Sequence, residues 1–129
     1  MICNGFHHIG LIVNDAEKSL RFYTEGLGGK ETFRFPMSNS DKTIYLVDLG
    51  ENAVVELIPR GHAGEEADAR WAHIALRCAD TRAAVERAVA AGAGVRIAPQ
   101  DVVLGTLPVC NAFVTGPDGE QIEFFQVKA

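Results

Sequence analysis

The chain contains two similar halves, and this internal repeat restricts its fold more than any other feature of the sequence. Residues 8–15 read HIGLIVND and residues 73–80 read HIALRCAD, an offset of 65 residues. A second pair of segments, VVELI at 54–58 and QIEFF at 121–125, repeats with an offset of 67 residues. Each half therefore begins with a segment that opens on a histidine and ends with a segment centred on a glutamate.

The residues between these segments indicate the same order of elements in both halves. Asp15 and Asp80 are favourable helix N-caps, and each precedes apolar residues at helical spacing that end at glycines. In the first half the apolar positions are Ala16, Leu20, Tyr23 and Leu27. Short β-type runs follow each helix, at 30–35, 43–49 and 53–58 and then at 94–98, 111–115 and 120–126.

This order predicts an α+β fold class, with two βαβββ modules that pair into an open, cup-shaped mixed β-sheet. A lone module would leave one apolar sheet face uncovered, so the two must combine. The length of 129 residues suits a single domain. We place module one at 5–60, a linker rich in glycine, alanine and acidic residues at 61–70, and module two at 71–127.

Four side chains that can bind metal share the face turned away from the predicted helices. Alternate residues of a strand point to the same side, so His8 and Glu56 oppose the apolar, helix-facing positions of the first half. His73 and Glu123 do the same in the second half. An unpaired carboxylate inside an apolar strand is costly. The repeat therefore predicts that two histidines and two glutamates converge on a metal site.

Composition excludes several other classes of function. The 12 lysines and arginines are scattered singly against 17 acidic residues, which gives a net charge of −5 and argues against nucleic-acid binding. We find no apolar run of membrane-spanning length and no signal peptide, so we expect a cytoplasmic protein without a membrane partner. The three cysteines, Cys3, Cys78 and Cys110, form no zinc motif and are expected to be free thiols.

The ordered set of motifs resembles the vicinal oxygen chelate superfamily, which includes glyoxalase I (lactoylglutathione lyase). The motifs that carry the resemblance are HIGLIVND at 8–15, SLRFY at 19–23, LG at 27–28, VEL at 55–57, HIAL at 73–76 and PDGEQIE at 117–123. By this resemblance His8, Glu56, His73 and Glu123 match the metal positions of the family. Four protein ligands imply one divalent ion, with Ni, Co, Zn and Mn all suited to imidazole and carboxylate.

The resemblance implies a metal-dependent lyase or isomerase of the glyoxalase I type, which moves a proton through an enediolate on a small dicarbonyl–thiol adduct. Glu123 is our first choice for the base and Glu56 the second. The first alternative is an acyl-CoA epimerase of the methylmalonyl-CoA type, in which the position of Glu56 is usually glutamine. A non-catalytic drug-binding protein is a second alternative, although such members lack the metal ligands. A ring-cleaving dioxygenase is disfavoured because it uses only three of the four positions.

The chain departs from bacterial glyoxalase I at the positions that grip glutathione. That enzyme has an arginine four residues after its first ligand and an asparagine four residues after its second, where this chain has Ile12 and Arg60. Arg77 lies four residues after His73, at the counterpart of Ile12 in the other half. We therefore expect Arg77, assisted by Arg60, to bind an anionic small-molecule substrate. Family members are commonly dimers, and a homodimer is expected here.

Overall fold

The order of elements repeats once along the chain. The computed structural model describes residues 1–60, 70–117 and 119–128. Its elements are β1 (Cys3–Val13), α1 (Ala16–Arg21), β2 (Lys30–Pro36), β3 (Thr43–Asp48), β4 (Val54–Pro59), β5 (Arg70–Cys78), α2 (Thr81–Ala90), β6 (Gly94–Leu104), β7 (Leu107–Thr115) and β8 (Gln121–Val127). The predicted α+β class with two βαβββ modules is confirmed. Within the described ranges, no helix has both the length and the apolar character that crossing a bilayer requires.

The chain forms two compact units whose boundary lies inside the first strand. The first unit is His8–Ala72, and the second consists of Met1–His7 together with His73–Ala129. Ile2 and Cys3 accordingly pack against the core of the second unit. Residues 5–7, which the sequence analysis assigned to module one, thus belong to the second unit. The predicted linker at 61–70 lies outside the described residues except for the first residue of β5.

In the first unit the strand order is β2-β3-β4-β1, and β1 runs parallel to β4. The other neighbouring strands are antiparallel. One face of this sheet carries the buried core, against which Leu20 and Tyr23 of the helical segment pack. Leu11 and Val13 of β1 lie in that core with Val55 and Leu57 of β4, as strand alternation predicts.

In the second unit the order β5-β8-β7-β6 repeats the same arrangement. Strand β5 is parallel to β8, and Ala75 lies opposite Glu123 just as Gly10 lies opposite Glu56 in the first unit. Residues of α2, β5, β7 and β8 form the core on the helix side, where Cys78, Ala84, Val85, Ala112, Val114 and Phe124 are buried. The matching registers are what the sequence offsets of 65 and 67 predict.

Both helices begin where the sequence predicts. The Asp15 carboxylate accepts a hydrogen bond from the backbone N–H of Lys18 at 3.0 Å, and the Asp80 carboxylate accepts one from Ala83 at 3.1 Å. Each bond satisfies an amide that has no partner in the first helical turn. The two aspartates therefore fix the angle at which the chain leaves β1 and β5.

The first helical segment differs from the regular helix that the apolar spacing predicts. It is α-helical only to Arg21 and then widens into a π-helical turn over Phe22–Gly26. The Thr24 hydroxyl donates a hydrogen bond to the Leu20 carbonyl at 2.7 Å within this segment. Leu27, expected on the buried face, is 59% exposed because the wider turn rotates it away from the sheet.

The last hairpin is longer than predicted. The sequence predicts one strand that ends at residue 98 and another that begins at 111, but β6 and β7 pair from residue 94 to residue 115 around a turn at Gly105 and Thr106. Pro99 falls where the register shifts between Ile97 and Gln100. Among the described residues β6 has a neighbouring strand on one side only, so a proline without an N–H is tolerated there.

Candidate metal centre

The first unit brings His8 and Glu56 together. His8 is 1% exposed and Glu56 is 7% exposed, and His8 Nε2 lies 3.4 Å from Glu56 Oε1. The parallel register that sets Gly10 opposite Glu56 leaves His8 two residues back on the same face. Both side chains therefore point away from the helix-side core, as predicted.

The second unit brings His73 and Glu123 together in the same way. His73 Nε2 lies 3.2 Å from Glu123 Oε1, and their side chains are 6% and 5% exposed. Ala75 opposite Glu123 takes the place of Gly10 opposite Glu56. Phe113, directly across from Glu123 on β7, meets the His73 ring edge to face at 5.6 Å between centroids. Each module thus presents one imidazole and one carboxylate at equivalent positions.

The donor atoms of each pair suit a divalent ion. Two ligand atoms bonded to one ion at about 2.1 Å, with about 90–110° between the bonds, are about 3.0–3.4 Å apart. The separations of 3.4 Å and 3.2 Å fall within this interval. The first separation is also longer than an ordinary N–H···O hydrogen bond. Imidazole nitrogen and carboxylate oxygen are the donors that first-row divalent metals accept.

The second oxygen of Glu123 has a partner that the sequence analysis missed. Asn111 Nδ2 donates a hydrogen bond to Glu123 Oε2 at 3.0 Å, and Gln100 Nε2 donates one to Asn111 Oδ1 at 3.1 Å. Asn111 is 6% exposed. An amide inside the otherwise apolar run VCNAFV was the available signal, but it becomes informative only once the β7–β8 register is known.

Aromatic side chains line the Glu56 face of the first unit. Phe33 pairs with Leu46, which pairs in turn with Glu56, so the three side chains stand on one side of the sheet. The rings of Phe33 and Phe35 lie 6.0 Å apart between centroids. Phe33 and Phe35 therefore share the Glu56 face of the sheet with the imidazole of His8.

The two arginines proposed to bind substrate hold different positions. Arg60 Nε donates to Asn14 Oδ1 at 2.8 Å, at the end of the parallel β1–β4 pair, and its carbonyl accepts from Lys42 Nζ at 2.8 Å. Arg77 is exposed, with Nη1 3.4 Å from the Asn4 carbonyl oxygen. Their roles in binding an anion stay predictions.

The cysteines are free thiols, as predicted. All three lie in the second unit, and Cys78 and Cys110 are buried. Burial raises the pKa of the Cys78 thiol, and the same cause raises the pKa of Cys3. A raised pKa keeps these sulfurs in the neutral form, which is neither a good nucleophile nor a good metal ligand.

Comparison with known proteins identifies the family of the chain. The sequence signature of the Glyoxalase/Bleomycin resistance protein/Dioxygenase superfamily matches residues 5–124. The chain belongs to this superfamily. The resemblance noted from the motifs is thereby confirmed.

Curated members of this superfamily match along nearly their whole length. A probable lactoylglutathione lyase of Vibrio cholerae is 34% identical over 125 residues, which cover 94% of this chain and 89% of that protein. A lactoylglutathione lyase of Neisseria meningitidis serogroup B is 31% identical over 126 residues, covering 95% and 90%.

Solved structures of the superfamily share the fold. The methylmalonyl-CoA epimerase of Mycobacterium tuberculosis superposes with a TM-score of 0.78 at 19% identity, covering 99% of this chain and 91% of that one. The likeness at this identity establishes the fold, while the chemistry has to be argued from the side chains.

Proposed function

We propose that the protein is a divalent-metal-dependent lyase or isomerase of the glyoxalase I type. The observation that carries the proposal is the buried imidazole–carboxylate pair in each module, held in the same parallel-strand register at ligand-to-ligand distance. The recurrence of this pair at equivalent positions of both modules supports a shared role for the four side chains. The similarity to proteins named lactoylglutathione lyase supports the same reaction class.

In this proposal His8, Glu56, His73 and Glu123 bind one ion together. These four residues would hold the ion, and the bound ion would be able to accept two neighbouring substrate oxygens. Ni, Co, Zn and Mn are the candidates, because imidazole and carboxylate ligands suit all four. When bound, the ion supplies Lewis-acid polarisation of those oxygens and acidifies the adjacent C–H bond.

A carboxylate of the site carries the proton. Glu123, or in second place Glu56, accepts it at an Oε atom from one carbon and returns it to the neighbouring carbon of a hemithioacetal. That sequence converts a 2-oxoaldehyde–thiol adduct into a 2-hydroxyacyl thioester without a net change in atoms or electrons. Burial of both carboxylates keeps bulk water from competing for the proton.

This chain departs from bacterial glyoxalase I at the residues expected to bind the thiol part of the substrate. Ile12 stands where a glutathione-gripping arginine is expected, so a different anionic thiol is favoured. Epimerisation of a 2-acyl thioester is the second candidate, because it needs no glutathione-binding arginine. In that reaction the same base would remove a proton from one carbon and return it to the opposite face of that carbon. Cytoplasmic location and a homodimer stay predictions.

Turnover of metal-loaded protein tests the proposal. Chelator-treated protein is reloaded with Ni, Co, Zn or Mn and given methylglyoxal with glutathione, or with another thiol, and thioester formation is followed by absorbance. We expect no turnover without metal and different rates with the four ions. In deuterated water some solvent deuterium should enter the product carbon. Undiminished activity in metal-free protein would refute the mechanism.

A pair of glutamate variants controls this experiment. Replacing the base should lower kcat by about 100-fold or more, so Glu123→Gln is expected to fall in that range. Glu25→Gln changes the same functional group on an exposed residue and should match the wild type. Epimerisation of an acyl-CoA without isomerisation would assign the second candidate function.

The predicted anion contact is tested at Arg77. An arginine–carboxylate bond in a partly desolvated site contributes about 1.5–3 kcal/mol, so Arg77→Leu should raise KM for an acidic substrate about tenfold or more. Metal content should be unchanged, because Arg77 is not proposed as a ligand. Equal kinetics in wild type and Arg77→Leu would leave the arginine as ordinary surface.

A further inference from the structure

We propose that Asn111 is a positioning residue for Glu123, holding its carboxylate so that only Oε1 is offered to the ion. The inference rests on the proposed metal site and deepens it. It is carried by the hydrogen bond from Asn111 Nδ2 to Glu123 Oε2 and by the contact of the other oxygen, Oε1, with His73 Nε2. The two oxygens of one carboxylate thus have separate tasks.

The direction of each hydrogen bond follows from the chemistry of the groups. An ionised carboxylate only accepts, so Asn111 must turn its Nδ2 toward Glu123. Its Oδ1 then faces the opposite way and accepts from Gln100 Nε2. The carboxylate of Glu123 therefore fixes the orientation of the Asn111 amide, and Gln100 adds a second hydrogen bond that is compatible with that orientation.

Burial protects the bond between Asn111 and Glu123, although Gln100 itself is exposed. Asn111 and Glu123 are 6% and 4% exposed, so water competes little for the bond between them. A hydrogen bond to a carboxylate is stronger than one between neutral groups. Gln100 comes directly after the register shift that begins at Ile97 in β6. A β-bulge of this kind changes the direction of neighbouring side chains.

The fold itself does not require an amide at this place. Asn111 stands two residues before Phe113, the residue opposite Glu123 on β7. The corresponding residue of the first unit is Ile44, two residues before Leu46, which lies opposite Glu56. Ile44 is buried in that unit without a hydrogen-bonding side chain. The amide therefore occurs beside Glu123 and not at the corresponding place beside Glu56. This is expected if its role is to position Glu123 as a metal ligand.

Cobalt binding tests the inference without reference to activity. The Co(II) dissociation constant of Asn111→Leu is measured by competition with a chromophoric chelator, alongside the Co(II) absorption spectrum. We expect the constant to rise about 10–100-fold, which is typical of losing a partner of a metal ligand. The spectrum should change, because a carboxylate freed at Oε2 binds through both oxygens or withdraws. An unchanged constant and spectrum would overturn the inference.

A double-variant cycle separates positioning from general structural damage. If Asn111 acts through Glu123, Asn111→Leu should weaken Co(II) binding by less than about threefold in a Glu123→Gln background. A full effect in that background would overturn the inference. Unchanged Co(II) binding in Glu123→Gln itself would instead refute the proposed metal site, so the two failures can be told apart.

Two further variants complete the design. Gln100→Leu should weaken Co(II) binding in the same direction but by less, because it loosens Asn111 without removing it. Gln126→Leu is the matched structural control, since the Gln126 side chain accepts a hydrogen bond from the Thr81 N–H at the start of α2. It should lower Tm while leaving the Co(II) constant unchanged. Equal weakening by Gln126→Leu would overturn the positioning role.

Discussion

Glu56 and Glu123 are almost fully buried, although each lies in a strand of otherwise apolar side chains. A buried carboxylate without a partner is strongly unfavourable, so something in the fold must compensate the charge. The histidines supply a contact in each unit, and the proposed ion would supply a stronger one. The stability of the protein should therefore depend on the metal.

Removing one imidazole tests this dependence. His73→Ala should sharply lower the metal content and reduce Tm in metal-containing buffer, because a ligand that binds only the folded state stabilises it by mass action. In metal-free buffer the loss of Tm should be smaller. His62→Ala, in the predicted linker, is the control histidine. Full metal occupancy in His73→Ala, measured by elemental analysis, would contradict the ligand assignment.

Tyr45 shows how one hydroxyl joins a strand to a helix. Its ring is buried, and its Oη donates to Glu17 Oε1 of α1 at 3.1 Å. Burial raises the pKa of the phenol, and the hydrogen bond to Glu17 raises it further. The folded state therefore favours the protonated phenol. This part of the stability is present below the unfolded pKa and is lost as the pH rises through the folded pKa.

Tyr45→Phe should lower the free energy of unfolding by about 1 kcal/mol at pH 7, the usual contribution of one such bond. The difference from the wild type should shrink above about pH 10, where the unfolded phenol begins to ionise. Urea unfolding at pH 7 and pH 10.5 measures both values. A difference that stays constant over this range would show that the hydroxyl does not carry the effect.

At the scale of elements, the first helical segment approaches β3 so closely that the packing restricts which residue fits at position 29. Gly29 follows the π-helical turn, and its N–H donates to the Tyr23 carbonyl at 2.8 Å. A Cβ at residue 29 would lie 2.7 Å from that carbonyl oxygen and 2.9 Å from the side chains of Val47 and Leu49. A glycine is therefore required by close packing at this junction.

Gly29→Ala should destabilise the protein by about 1–3 kcal/mol, the range found for overpacked sites. Gly26→Ala is the matched variant, because its Cβ would meet only Phe22 at an ordinary 3.7 Å. That change should be close to neutral or slightly stabilising. Thermal unfolding of both variants measures the contrast. Equal Tm values would show that the junction can open without cost.

The elements that the sequence predicts well are those marked by local chemistry. Asp15 and Asp80 indicate where the helices begin, because a short carboxylate can accept a hydrogen bond from a backbone N–H of the first helical turn. The π-helical turn and the long β6–β7 hairpin were missed for a different reason. Apolar spacing does not distinguish a π-turn from an α-turn. Pro99 indicates the end of a strand unless that strand lies at an edge, and β6 is an edge strand among the described residues.

At the scale of the whole molecule, the repeat explains why a complete set of candidate ligands could be named from the sequence. Two copies of one pattern identify His8, Glu56, His73 and Glu123 together, whereas a single copy would leave each residue ambiguous. The same logic explains the omission of Asn111, which has Ile44 as its counterpart and so leaves no repeated signal. Features shared by the modules are visible in the sequence, and those that distinguish them emerge from the structure.

The second compact unit is discontinuous in sequence, and this affects the order in which its parts can pack during folding. Ile2 and Cys3 pack against a core that contains Val85 and Phe124. During translation residues 1–7 are made before residues 8–72, yet their packing partners follow residue 72. These residues therefore cannot complete their packing until α2 and β8 have been synthesised. The packing of this unit thus joins two segments that the whole first unit separates in sequence.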